Sequence, residues 1–140
     1  MNNLITVDFE DQTSKDFAPG QTFTSNGVRF HLLPASTVPM SIKKAGGTHV
    51  NGQVLIIRTG IVDIDLDELR ISLSFWFSNA AKGMTVRFFA QDGSKIVEFN
   101  EPAHGAGEKS FGYTIQRPFT KVQIAVPGDS VYIDELRFTK

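Results

Sequence analysis

The chain has 140 residues, 41% hydrophobic and 21% charged, with 14 Lys and Arg against 15 Asp and Glu for a net charge of -1. That length implies one ordinary domain with a real core over residues 1–140, and the composition is that of a folded protein. Balanced charge offers no concentrated basic surface for nucleic acid or an anionic membrane, and the absence of cysteine excludes disulfides, thiolate metal sites and cysteine nucleophiles.

Met1–Ile5 has neither a basic stretch nor an apolar one, so it does not read as a signal peptide, and this leaves the compartment open. No apolar run approaches the roughly 20 residues of a membrane helix, so membrane insertion is not expected. The first expected strands lie near 4–9, 21–24, 27–32, 39–43 and 53–58. Asn26-Gly27 supplies a tight turn between the second and third. Strands near 61–66 and 69–78 follow. In the latter, Ile71, Leu73, Phe75 and Phe77 alternate with Ser72, Ser74, Trp76 and Ser78. Period two sends one set into the core and the other outward. Asp92-Gly93 makes a hairpin of 84–91 and 94–99, and the Gly/Ala/Pro-rich segment 101–109 reads as an exposed loop. Strands near 110–116, 120–126 and 131–138 complete the chain.

About ten to twelve short strands without a helical repeat imply an all-β fold, two antiparallel sheets packed as a β-sandwich. The chain ends sharpen this. The first strand contains Val7-Asp8-Phe9-Glu10-Asp11, and the last reads Tyr132-Ile133-Asp134-Glu135-Leu136-Arg137-Phe138. This pairing resembles the jelly-roll carbohydrate-binding modules and their galactose-binding-like relatives. There an acidic N-terminal strand lies beside a C-terminal strand of the form Ile-Asp-x-Ile/Leu-x-Phe. Two departures stand out: the tryptophan-rich ligand loops are missing, and Asp8 stands where many such modules have Glu.

The resemblance implies a jelly roll, a non-catalytic lectin-like function, an extracellular setting and a structural calcium ion held between the chain ends. Carried over by position, Asp8, Glu10 and Asp134 supply its carboxylates. Calcium takes six to eight oxygen ligands, and Asp8 and Glu10 on one strand face could both address one ion. The competing reading is a set of ordinary surface carboxylates paired with Arg137 or Lys140.

For a ligand face, parity places Trp76, Arg87 and Phe89 outward, where an indole beside a guanidinium and a phenyl ring could receive a sugar. His49 and Asn51, in the polar turn 48–52, could add hydrogen bonds. The alternative is that Trp76 is plain packing. Arg58, on an apolar strand, is a candidate partner for a buried carboxylate. Asp63, Asp65 and Asp67 alternate on one face and read as a solvated sheet edge, since the EF-hand pattern fails at Glu68 and Ser74. No nucleophile elbow or phosphate loop occurs, and no pair of carboxylates is singled out for glycoside cleavage. The expected function is carbohydrate binding. The alternative is a protein-interaction or assembly domain, such as part of a secreted toxin or extracellular structure, whose aromatic face makes a homo-oligomer or binds a protein partner.

Overall fold

The computed structural model describes residues 4–105 and 107–140. The start of the N-terminal segment, residues 1–3, and residue 106 of the expected 101–109 loop lie outside the described residues. Among the described residues nine strands follow one another: β1 (Leu4–Val7), β2 (Lys15–Phe17), β3 (Thr22–Ser25), β4 (Val28–Leu32), β5 (Met40–Gly46), β6 (Asn51–Ser78), β7 (Met84–Phe89), β8 (Lys95–Glu101) and β9 (Lys109–Thr139). The described residues contain no helix.

At 28 and 31 residues, β6 and β9 far exceed a straight strand, and breaks in register divide each into three segments. Those segments match the three expected strands on each side. Residues 51–58 pair with β5 and with 130–133. Residues 60–65 lie against 121–126, with 62–65 also paired to β4. Residues 72–78 lie between 109–114 and 132–139.

Two layers result. The first runs β2, β5, 51–58, 130–139, 72–78 and 109–114, with β1 joining where residues 136–139 extend past the 51–58 segment. The second runs β3, β4, 62–65, 121–126, β7 and β8. Every paired strand is antiparallel, as expected for a β-sandwich without helical crossovers. Leu73, Phe75, Phe77, Ile133 and Phe138 of the first layer share one apolar cluster with Phe30, Val62, Ile64, Phe88 and Ile124 of the second. Each such side chain contributes on the order of 1.5–3 kcal/mol by leaving water.

Turn chemistry sets strand register within the second layer. Asn26 and Gly27 take φ values of 46° and 80° between Ser25 and Val28, the left-handed pair that a tight hairpin needs. At Asp92-Gly93, Ala90 and Ser94 close the second hairpin with a 2.9 Å backbone bond.

Three expectations change. The first strand stops at Val7, because Phe9 adopts φ 62° and drives its ring into the core, fully buried against Phe23 and Phe30. Asp8 and Glu10 therefore flank a turn instead of sharing a strand face. Asp63 and Asp65 lie on a segment flanked by β4 and β9, in mid-sheet and not at an edge. Arg58 meets no carboxylate directly; its Nη1 donates to Ser41 Oγ at 2.6 Å, and that hydroxyl donates to Asp16 Oδ1 at 2.5 Å.

Candidate functional site

The second layer has a polar outer face. On β7, Val86 and Phe88 enter the core, which turns Thr85, Arg87 and Phe89 outward. The same parity presents Lys121, Gln123 and Ala125 on β9, and Ile61, Asp63 and Asp65 on β6. Strand register then aligns these side chains in three parallel rows. One row is Phe89, Lys121, Asp65 and Arg29. The next is Glu98, Arg87, Gln123, Asp63 and His31. The third is Asn100, Thr85, Ala125 and Ile61.

The middle row is cross-linked along its length. Arg87 Nε donates to Glu98 Oε1 at 2.6 Å and its Nη1 to Gln123 Oε1 at 3.1 Å. Gln123 Nε2 donates in turn to Asp63 Oδ1 at 2.9 Å. Lys121 Nζ lies 3.4 Å from Asp63 Oδ2, and Arg29 Nη2 lies 3.1 Å from Asp65 Oδ2. Hydrogen bonds from Arg87 and then Lys95 hold the Glu98 carboxyl below the usual carboxylate range. Such bonds fix the rotamers, so the face presents its remaining donors and acceptors in set positions.

Two hollows flank this row. The larger, about 780 Å³, is bounded by Phe89, Arg29, Asp65, Lys121 and Gln123. The smaller, about 420 Å³, is bounded by Arg87, Thr85, Ala125, Ile61 and the 35–37 loop. At about 3.3 Å per residue, the stretch from Thr85 to Phe89 spans about 13 Å. The chemistry offered is that of binding: planar polar groups, one half-buried phenyl ring and paired charge.

Arg87 and Phe89 therefore belong to this face, but Trp76, His49 and Asn51 do not. Trp76 lies on the first layer, because its segment pairs with 109–114 and 132–139 whereas β7 pairs with 121–125. The shared aromatic platform expected from parity is not formed. Trp76 joins Tyr132 and Ala45 over Val50, Val54 and Ile56 in a separate apolar cluster. The His49 imidazole is stacked on the indole, with centroids 3.7 Å apart and planes at 3°. Glu108 anchors that loop by accepting from the backbone N–H groups of Val50 at 2.5 Å and His49 at 2.8 Å, bonds that favour its ionised form and hold its carboxyl below the usual carboxylate range.

The chain ends do meet: β1 pairs with residues 136–139. Val131, Ile133, Leu136 and Phe138 are all core residues, so one extra residue intervenes, and Glu135 absorbs it at φ 54° as a bulge. This leaves Asp134 only 2% exposed. Burial raises its carboxyl to about 7, against hydrogen bonds from the Asn51 and Glu135 N–H groups and with added repulsion from Glu135 and Glu10. Asn51 N donates to Asp134 Oδ2 at 3.2 Å and Gln53 N to Glu10 Oε2 at 2.8 Å, so one short backbone stretch carries both carboxylates. Asp8 does not join them; its Oδ1 accepts from Glu10 N at 3.1 Å across the Phe9 turn. Among the described residues, no three His, Cys, Asp or Glu side chains gather closely enough to hold a metal ion.

Asp63, Asp65, Lys121 and Gln123 were not expected on a face shared with Arg87 and Phe89. Their signal was present as alternating polar residues inside apolar strands, but three segments had to be aligned before it meant anything.

Comparison with protein-family models gives no match, and comparison with curated proteins gives none either. Solved structures do match. A variant of a family 29 carbohydrate-binding module complexed with mannohexaose superposes with a TM-score of 0.63 at 16% identity, covering 91% of each chain. A second variant, complexed with cellulohexaose, gives 0.57 at 14% identity, covering 91% of this chain and 90% of the other. At such identities the likeness is one of fold: this chain has the β-sandwich architecture of those carbohydrate-binding modules.

Proposed function

We propose that the chain is a non-catalytic carbohydrate-binding module and that the outer face of its second layer is the binding surface. The observation that carries this reading is the Glu98–Arg87–Gln123–Asp63 row, whose mutual hydrogen bonds present fixed polar groups beside the Phe89 ring. Sugar rings offer hydroxyl groups at their edges and C–H groups on their faces, which is what this surface complements. Its cations are paired with its carboxylates, Arg29 with Asp65, Lys121 with Asp63 and Arg87 with Glu98, so the complementary glycan is uncharged. The fold likeness to modules complexed with mannohexaose and cellulohexaose supports the same class of ligand.

Catalysis is disfavoured on chemical grounds. A glycoside-cleaving acid needs a carboxyl whose proton is retained near neutrality. Glu98 is shifted the other way, and Asp134, which is shifted upward, is buried on the opposite layer.

The reading includes a calcium ion at the chain ends. Glu10 and Asp134 would hold it, with backbone carbonyls completing an oxygen shell, and Asp8 is left out. The support is a buried carboxyl that is repelled by Glu135 and Glu10 and makes no ion pair with a Lys or Arg among the described residues. A divalent ion would supply the missing positive charge.

The test is calorimetric titration with cellohexaose, mannohexaose and soluble neutral polysaccharides. Saturable binding that weakens at least tenfold in Phe89→Ala is expected. Silence across the panel, in a protein with a normal melting transition, would remove the proposal.

A further inference from the structure

We infer that the smaller hollow is a subsite for an acetyl group carried by the bound glycan, whether O-linked or N-linked; this rests on the carbohydrate-binding reading. The hollow exists because of one small residue. Along β9 the outward positions are Lys121, Gln123 and Ala125, and at the third the long polar side chain is missing. Its neighbours in register, Thr85 and Ile61, leave an open space of about 420 Å³ above Ala125, in the size range of a small-ligand site.

The lining has two parts. Ile61, Ala125 and Pro127 make an apolar wall, while Arg87 and Ser36 border the same space. Arg87 uses one N–H toward Glu98 and one toward Gln123, which leaves three of its five for a ligand. Ser36 is 9% exposed, and its Oγ accepts from Ile61 N at 3.0 Å, which leaves the hydroxyl hydrogen to donate. Donors beside an apolar wall match an acetyl group: the carbonyl oxygen accepts from Arg87 or Ser36, and the methyl group rests on Ile61, Ala125 and Pro127. A free sugar hydroxyl satisfies the donors but leaves the wall in contact with water. Arg87 also belongs to the cross-linked row, so a glycan seated there brings its substituents to the mouth of the hollow.

The experiment compares acetylated glucomannan with the same sample after mild alkaline deacetylation, and fully N-acetylated chitohexaose with cellohexaose, by calorimetry on the full chain. Binding about tenfold tighter for one or both acetylated ligands is expected, the pair of arms assigning the linkage. Ala125→Leu fills the hollow and should bring the acetylated ligand down to the affinity of its unsubstituted counterpart. Thr37→Tyr, at the exposed rim, serves the same purpose should Ala125→Leu melt early. Equal affinity within both pairs overturns the acetyl subsite and leaves the carbohydrate-binding reading standing. No binding of any glycan overturns both.

Discussion

The imidazole of His49 lies flat on the indole of Trp76, 3.7 Å away and within 3° of parallel. A ring face already covered by another ring is not free for a sugar, so Trp76 acts as packing. Trp76→Ala should lower stability by about 2–4 kcal/mol, a little below the range for fully buried Trp. Glycan affinity should stay within twofold, because the proposed binding face is on the opposite layer. Denaturant unfolding and calorimetry on the same samples check both halves, and a large loss of affinity with stability intact would relocate the site.

Gln123 holds Arg87 and Asp63 in place, accepting from one and donating to the other. Gln123→Ala should remove one hydrogen bond from each charged group, leaving Arg87 on Glu98 and Asp63 beside Lys121, and weaken glycan binding by roughly 10–100-fold, the range for hydrogen bonds to charged groups. Stability should change by under about 1 kcal/mol, since the side chain is half-buried on an outer surface. An unchanged dissociation constant would show that the row does not touch ligand.

Why was the fold legible and the site only in part? Alternation such as Leu73-x-Phe75-x-Phe77 records which side of a strand meets the core, so strands and inward faces follow from sequence alone. Which outward faces coincide depends on the register breaks near Gly60 and Arg70, which carry β6 from layer to layer. Trp76, Arg87 and Phe89 have the same parity and yet sit on different layers. Asp8 and Glu10 fail for a local reason: Phe9 takes a left-handed backbone that phenylalanine rarely adopts, so period two ends at Val7 and does not run on to residue 9. The displaced parity of Leu136 and Phe138 against Ile133 was readable, and it marks the bulge that buries Asp134.

Charge pairing across the outer face of the second layer makes a prediction about salt. A neutral ligand releases no counterions, and close ion pairs in the floor are little screened. The dissociation constant for a neutral hexasaccharide should therefore change less than about twofold between 50 and 500 mM salt, where the Debye length falls from about 14 to about 4 Å. Titrations at the two ionic strengths decide the matter. Strong weakening by salt would indicate an anionic glycan and an unpaired Arg or Lys.

Gly52 occupies φ 68°, and a Cβ there would run into the Glu10 carboxylate. Gly52→Ala should cost about 1–2 kcal/mol from the left-handed backbone alone. Displacement of Glu10 should also diminish any calcium-dependent rise in melting temperature, while Gly27→Ala, which meets nothing within 4 Å, should carry only the backbone cost. Melting curves of the two variants with and without calcium separate strain from damage to the carboxylate pair.

Asp134 gives the fold a dependence on pH whose sign is set by the burial that keeps its carboxyl protonated well above the usual carboxylate range. Its carboxyl titrates near 7 in the folded chain, against about 3.9 when unfolded. The folded state therefore holds the proton more tightly, and this contribution is fully present below about pH 4 and lost as pH rises through 7. In chelator, the melting temperature should fall between pH 5 and pH 8 on this account, and Asp134→Asn should flatten the decline. Calcium needs the ionised form, so its stabilising effect should be small at pH 5 and larger at pH 8. Differential scanning calorimetry at both pH values, in EDTA and in millimolar calcium, measures all four conditions. An equal calcium effect at pH 5 and pH 8, or one that survives in Asp134→Asn, would place the ion elsewhere. No effect at either pH would leave the buried carboxyl to be stabilised by its proton alone.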